Sequence, residues 1–356
     1  VKSPAILERH PGLRWLVPAG IACIAGLAAT GILKASASSE SLPRTTPTAL
    51  IAAVQDNHVD GFSGTVVSHL SLGLPEVPAI TPGESDQASS FAALLSGSHT
   101  LQVWYGGYDK QRIAMLGPTD ETDLFRNGRD VWQWSSTDRV AVHAVLDRHA
   151  RALTGGSLAT LTPVALAQQL LTAMDASTRV SVDADHTVAD RSAYELVLTP
   201  RSTATKIGSV HISIDGATKV PLGVQVYPRG DSTAAVDVAF TSIRFAAQAD
   251  RNFVFYPPPN AHVRRITARP LDALREHDAR ATGSGWTTVF RFTTDPADLA
   301  KYARGALLKQ LTPVAGSWGS GRLLDAPLIS VLITKDGRVF AGAVDPTELY
   351  AAAGTK

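Results

Sequence analysis

Residues 101–146 read LQVWYGGYDKQRIAMLGPTDETDLFRNGRDVWQWSSTDRVAVHAVL, and this stretch decides the fold. Four short apolar runs, at 101–105, 111–116, 130–135 and 139–145, are separated by clusters of Gly, Asp, Asn and Pro. Runs rich in β-branched and aromatic residues, punctuated by turn formers, predict an antiparallel meander. Trp104, Trp132 and Trp134 all fall inside it. Trp132 and Trp134 are two positions apart, so on a strand they project from one face. That face is large and apolar, and what covers it decides the function.

Working outward, the N-terminal end carries the strongest local signal. Residues 15–33, WLVPAGIACIAGLAATGIL, hold no charge and are bracketed by Arg14 and Lys34. As a helix this run would span about 28 Å, close to a hydrocarbon core. Lys2, Arg9 and Arg14 precede it, which by the positive-inside bias puts the N-terminus in the cytoplasm and the rest of the chain outside. The expectation is a single-pass cell-membrane protein with an extracytoplasmic ectodomain. The alternative is a secreted or periplasmic protein after signal-peptide cleavage, for which Ala35-Ser36-Ala37 offers a site. Cys23, the single cysteine, lies within the run, which excludes an intramolecular disulfide and any multi-cysteine metal site. The net charge is +1 with no block of like charge, so nothing marks a nucleic-acid partner.

The 356 residues suggest two or three folding units. Residues 36–45 form a Ser-rich linker. Thr46-Pro47 opens a helix as N-cap and first-turn Pro, and 62–70 reads as the first strand. Residues 71–90 are rich in Pro, Ser and Gly and read as loop. Phe91, Leu94 and Leu95 form a short apolar helix that is either a packing element or a lid, with Gly97 as its stop. Thr162-Pro163 starts a second helix with Leu166, Leu170 and Met174 on one stripe, either plain core or the lining of a cavity. Strands are expected at 193–199, 210–214, 220–227, 233–245 and 252–256, the last stopped by Pro257-Pro258-Pro259. After a charged linker, 286–356 reads as β-α-β-β with a terminal helix, its hairpin marked by Lys335-Asp336-Gly337-Arg338. This unit has few apolar residues and is expected to dock on the main sheet.

Contiguous catalytic signatures are missing. The chain has no HExxH, P-loop or GxSxG, and no GxGxxG between a strand and a helix. Gly319-Ser320-Gly321-Arg322 and Gly283-Ser284-Gly285 read as plain turns, His143 and His149 as isolated histidines, and Asp120, Glu121 and Asp123 as a solvated loop. A non-enzyme without metal or cofactor is expected. A curved sheet with one face to cover remains. If helices leave a gap, the gap is a hydrophobic cavity for apolar chains.

The order of the segments carries a resemblance. A helix, FSGTV, VWYGGYDKQRIAML, LFRNGRDVWQWSSTDRVAVH, the Pro-started helix, VADRSAYELVLTP, VHISIDGATKVPLGVQVY and NFVFYPPPNAHV follow in succession. Together they resemble the periplasmic lipoprotein carrier superfamily (LolA, LolB and the sigma-E regulatory protein RseB), above all its long membrane-anchored actinobacterial members. The tail, with GSWGSGRLL and LITKDGRVFAGAV, resembles the C-terminal extension of those members. The resemblance implies an α+β fold: a large curved antiparallel sheet, an unclosed barrel covered by lid helices, with a small C-terminal β-α-β-β unit. The implied domains are 1–45 (cytoplasmic end, span and linker), 46–266 (half-barrel), 267–285 (linker) and 286–356 (extension). It implies lipid or lipoprotein acyl chains as ligand, in a cavity lined by Trp104, Met115, Trp132, Trp134, Leu166, Leu170, Met174 and Phe240. The alternative is an RseB-like membrane-anchored regulator that binds a partner such as an anti-sigma factor.

Overall fold

Thr46 is extended and its hydroxyl accepts from Ala49 N, so the chain turns at Pro47 into helix α1 (Pro47–Gln55). In the computed structural model the described residues are 42–73, 96–146, 161–267, 280–293 and 310–355. The expected span at 15–33 and the helix of Phe91, Leu94 and Leu95 lie outside them. No helix among the described residues is long and apolar enough to cross a membrane.

Strand β1 (Phe62–Ser71) is followed by a run of hairpins: β2 (Ser96–Tyr105), β3 (Lys110–Leu116), β4 (Glu121–Asn127), β5 (Asp130–Ser135) and β6 (Val140–Val145). Helix α2 (Pro163–Ala173), capped by Thr162, then carries the chain to the other side of β1. There β7 (Thr178–Val188), β8 (Arg191–Pro200), β9 (Ile207–Asp215), β10 (Pro221–Pro228) and β11 (Val236–Phe245) form a second meander. β11 pairs with β1, so the two meanders join along the central strand. Finally β12 (His262–Thr267) lies parallel to β6. The sheet has 12 strands, in the order β12-β6-β5-β4-β3-β2-β1-β11-β10-β9-β8-β7, and it is unclosed. The molecule is mainly β, and the sheet is mixed rather than purely antiparallel as expected.

Three strands of the large sheet escaped the sequence reading. β4 includes the acidic Glu121 and Asp123 that read as a loop, β7 follows α2 directly, and β12 lies beyond the three prolines. Conversely, 252–256 is no strand: Asp250–Phe253 is a 3-10 turn and the chain then runs irregularly to Pro258. Gly97 stands inside β2 rather than ending a helix.

Both helices pack on one face of the sheet. Leu50 and Val54 of α1 and Ala167 and Leu171 of α2 bury against Leu196, Leu198, Ile212 and Val224. A second cluster on the same face gathers Phe62, Val66, Leu101, Val103, Ile113, Leu124 and Phe240. Gly64 lets β1 and β11 approach at the bulge after Thr65, since a Cβ there would sit 2.3 Å from Ser242 O.

The C-terminal unit is a second antiparallel sheet of six strands: β13 (Arg280–Thr282), β14 (Val289–Thr293), β15 (Thr312–Gly316), β16 (Gly319–Asp325), β17 (Ser330–Thr334) and β18 (Arg338–Gly342). Helix α3 (Pro346–Gly354) buries Leu349 and Ala353 against Leu332 and Phe340. The Gly319-Ser320-Gly321-Arg322 segment is the start of β16 and not a plain turn. The helix expected near 295–310 lies almost wholly outside the described residues. As expected, the unit docks on the main sheet. Thr205 bridges Val344, Lys206 N donates to Ala343 O, and Trp286 Nε1 donates to Thr178 Oγ1 at 2.8 Å.

Candidate functional site

Among the described residues, the helix-covered face, the opposite face of the first meander and the junction with the C-terminal unit each gather side chains that could do work. The first is the helix-covered face of the large sheet. Here Phe62 stacks on Tyr105 with centroids 4.9 Å apart and meets Phe240 edge-on at 5.8 Å. Phe240 is only 2% exposed, and Met115 packs half-buried against the same cluster. Burial, with the nearby Tyr108 and Asp109, pushes the Tyr105 phenol up to about 12, so it stays neutral. From α2, Leu166 reaches both apolar clusters, while Leu170 and Met174 pack on the second. All three remain half-buried, whereas Ala167 and Leu171 on the same helix are buried. Met115, Leu166, Leu170, Met174 and Phe240 thus share the covered face, and each methylene buried there would stabilise a bound chain by about 0.8 kcal/mol.

The tryptophans lie on the other face. Trp104 pairs with Arg112, Arg112 with Phe125, Phe125 with Trp132, and Trp132 with His143, which makes one row across β2 to β6. Directly paired residues point the same way, and Leu101, Val103, Ile113, Leu124 and Val131, of opposite parity, fill the helix-covered core. The expected lining is therefore split. Trp104, Trp132 and Trp134 share one face, away from Met115 and Phe240. A strap from far along the chain covers Trp132 and Trp134. Phe255 packs 5.0 Å from Phe125, 5.5 Å from Trp132 and 5.9 Å from Trp134. Its neighbour Phe253 is buried against Gly106, where a Cβ would come within 2.9 Å of the Phe253 ring.

Under this strap lies a charged centre that sequence reasoning missed. The Arg112 guanidinium sits 4.7 Å from both the Trp104 and Phe125 rings. It donates to Asp123 Oδ1 at 2.9 Å and to Glu121 Oε1 at 3.3 Å. Asp123 is 3% exposed. Burial, aided by a hydrogen bond with Glu121, raises its carboxyl to about 6 despite the pull of Arg112. Alternation within β3 would have placed Arg112 opposite Ile113, but only the register brings it to Asp123. His143 stacks on Trp132 at 4.2 Å and bonds Asp130 at 2.8 Å. Its expected companion His149 lies outside the described residues. No group of three His, Cys, Asp or Glu poised for a metal occurs among the described residues.

The third region is a polar cleft of about 420 Å³ where the C-terminal unit meets the main sheet, lined by Thr205, Lys206, Arg229, Asp231, Pro327 and Asp345. Its cations are engaged. Lys206 Nζ bonds Asp325 at 2.5 Å, and the Arg229 guanidinium donates to the carbonyls of Ser202, Thr205 and Ile207.

No family model matches the sequence, and no curated protein does. Among solved structures, the Pseudomonas aeruginosa MucA/MucB complex is similar at 14% identity, covering 86% of this chain and 95% of that chain, with a TM-score of 0.42. An uncharacterized conserved protein from Thermus thermophilus is similar at 12% identity, covering 62% and 98%, with a TM-score of 0.36. A LolA superfamily protein from Nitrosomonas europaea is similar at 11% identity, covering 60% and 99%, with a TM-score of 0.25. The likeness to MucB and to LolA-superfamily proteins is thus one of structure at low identity, and no residue role is transferred from it.

Proposed function

We propose that this chain binds acyl chains of lipids or lipoproteins, outside the cytoplasm, on the helix-covered face of its large sheet. The observation that carries the reading is the seat of α2. An isolated helix of 11 residues is marginal in water, so α2 holds its place by packing. Its Leu166, Leu170 and Met174 are only half-buried at the junction of two apolar clusters. A chain inserted beneath α2 would complete their burial and offset the cost of shifting the helix. Mass spectrometry of the purified full chain is expected to find a co-purifying acyl lipid. An environment-sensitive fluorescent fatty acid should bind saturably, and Leu166→Asp should weaken that binding at least tenfold. A folded protein free of lipid that leaves the probe unbound would end the reading.

A second reading, a membrane-anchored regulator that binds a partner protein, is favoured by the docked C-terminal unit and the polar cleft at its junction. Cross-linking in cells that recovers lipoproteins and no membrane regulator would count against it. Anchoring through residues 15–33 belongs to both readings. It is tested by whether the chain stays with membranes after a carbonate wash.

A further inference from the structure

The face of the second meander opposite the helices carries, among the described residues, a constellation that neither reading uses. Glu195 of β8 and Ser209 and His211 of β9 project from this face, opposite the buried Leu196, Val210 and Ile212. Ser209 Oγ lies 3.0 Å from His211 Nε2, and His211 Nδ1 lies 3.3 Å from Glu195 Oε1. With the proton on Nδ1, facing the Glu195 carboxylate, Nε2 is left to accept from the Ser209 hydroxyl. A nucleophile, a base and a group that orients the base therefore stand in sequence, the arrangement that activates a serine.

The imidazole is also held from the side. The Tyr227 ring packs against it with centroids 4.9 Å apart. Tyr227 is fixed in turn by donation to Gln225 Oε1 at 2.9 Å, and Gln225 donates to Asp237 Oδ2 at 3.1 Å. Burial, with the negative charges of Asp237 and Glu195, raises the Tyr227 phenol, so it stays neutral beside the ring. The His211 and Glu195 side chains are 26% and 21% exposed, open enough for a reactant and sheltered enough to hold geometry. On the same face Arg179 of β7 pairs with Thr199 of β8, one step beyond the Leu198–Val210 pair that ends the β8–β9 ladder.

We propose that Ser209 is a reactive nucleophile, with His211 as its base and Glu195 as a positioning residue, and that it accepts acyl groups from short carboxylic esters. On this sheet face Tyr227 is paired with Ser209 and Val197 with His211, which suits a small acyl group lying flat. In the reaction the Ser209 Oγ–carbon bond forms as Nε2 takes the hydroxyl proton. Collapse of the tetrahedral intermediate breaks the ester C–O bond, and Nε2 returns the proton to the departing alcohol. Water then attacks the acyl-serine, with Nε2 again relaying its proton, and releases the acid. The sequence reading of no catalysis rested on contiguous motifs, and these three residues share none.

The test treats the full chain with a fluorophosphonate probe and with para-nitrophenyl acetate. One phosphonyl adduct is expected, mapping to Ser209 and absent from Ser209→Ala. His211→Ala should slow labelling at least about 100-fold, with free imidazole restoring part of the rate, a recovery that misfolding would not allow. Glu195→Gln should slow it about tenfold, and each variant should keep the far-UV spectrum of the parent. No adduct on Ser209, or labelling equally fast in His211→Ala, would overturn the proposal and leave the three residues as polar cross-strand pairing. Acyl-lipid binding is read separately, so failure here leaves the proposed function standing.

Discussion

Replacing Asp123 with Asn should stabilise the protein at neutral pH, although it removes the partner of an arginine. Asp123 is 3% exposed beneath the strap, and burial holds its carboxyl at about 6, against an ordinary 3.8. The folded chain thus binds this proton more tightly than the unfolded chain does. Ionisation costs stability: the penalty is absent below about pH 4, grows between about pH 4 and 6, and is complete above. At 1.36 kcal/mol for each tenfold change in proton affinity, it amounts to about 3 kcal/mol. Asn keeps the shape and one acceptor for Arg112, and Glu121 still faces the guanidinium at 3.3 Å. The variant should match the parent near pH 4 and exceed it by up to about 3 kcal/mol at pH 7. The assay is urea unfolding followed by tryptophan fluorescence from pH 4 to 7.5 at fixed ionic strength. The stability difference between the two proteins cancels the other carboxylates. A variant less stable at pH 7, with the deficit vanishing in acid, would show that Arg112 outweighs burial and would refute the reasoning.

The opposite sign is expected at Asp215, which is 1% exposed. Burial pushes its carboxyl up, but hydrogen bonds from Arg191 and from Thr218 outweigh it and leave it below the ordinary value. Asp215→Asn should cost about 3 kcal/mol at pH 7, a loss that shrinks as pH falls below about 4, seen in the same unfolding assay. Leu171→Ala empties a buried site under α2 and should cost about 2–5 kcal/mol in urea denaturation. Trp286→Phe leaves Thr178 Oγ1 without its indole donor. It should cost about 1 kcal/mol and quicken proteolysis at the junction with the C-terminal unit.

Much of the fold was legible because its signals are local. The Thr46-Pro47 and Thr162-Pro163 caps started helices where expected, since a side-chain acceptor and a fixed φ act within one turn. The β17–β18 turn at Lys335-Asp336-Gly337-Arg338, with Gly337 at positive φ, followed from short-range chemistry. β4 was missed because its first residues are acidic. Glu121 and Asp123 look solvated until Arg112, nine and eleven positions earlier, is laid beside them. β12 was missed because its only described partner, β6, lies over a hundred residues away.

The candidate site divides the same way. Alternation alone put Trp132 and Trp134 on one face, because the period of a strand is a property of its backbone. Which face that is depended on objects distant in the chain: α2 on one side and Phe255 on the other. Pairing through three hairpins brought Trp104 to the same side, and the strap turned an expected cavity wall into a roofed aromatic layer. In the same way Glu195 and His211 meet only because β8 lies against β9. Local sequence determined where strands and helices begin and which residues share a face. Only the tertiary structure decided what each face meets, because burial depends on a partner surface that no single segment contains.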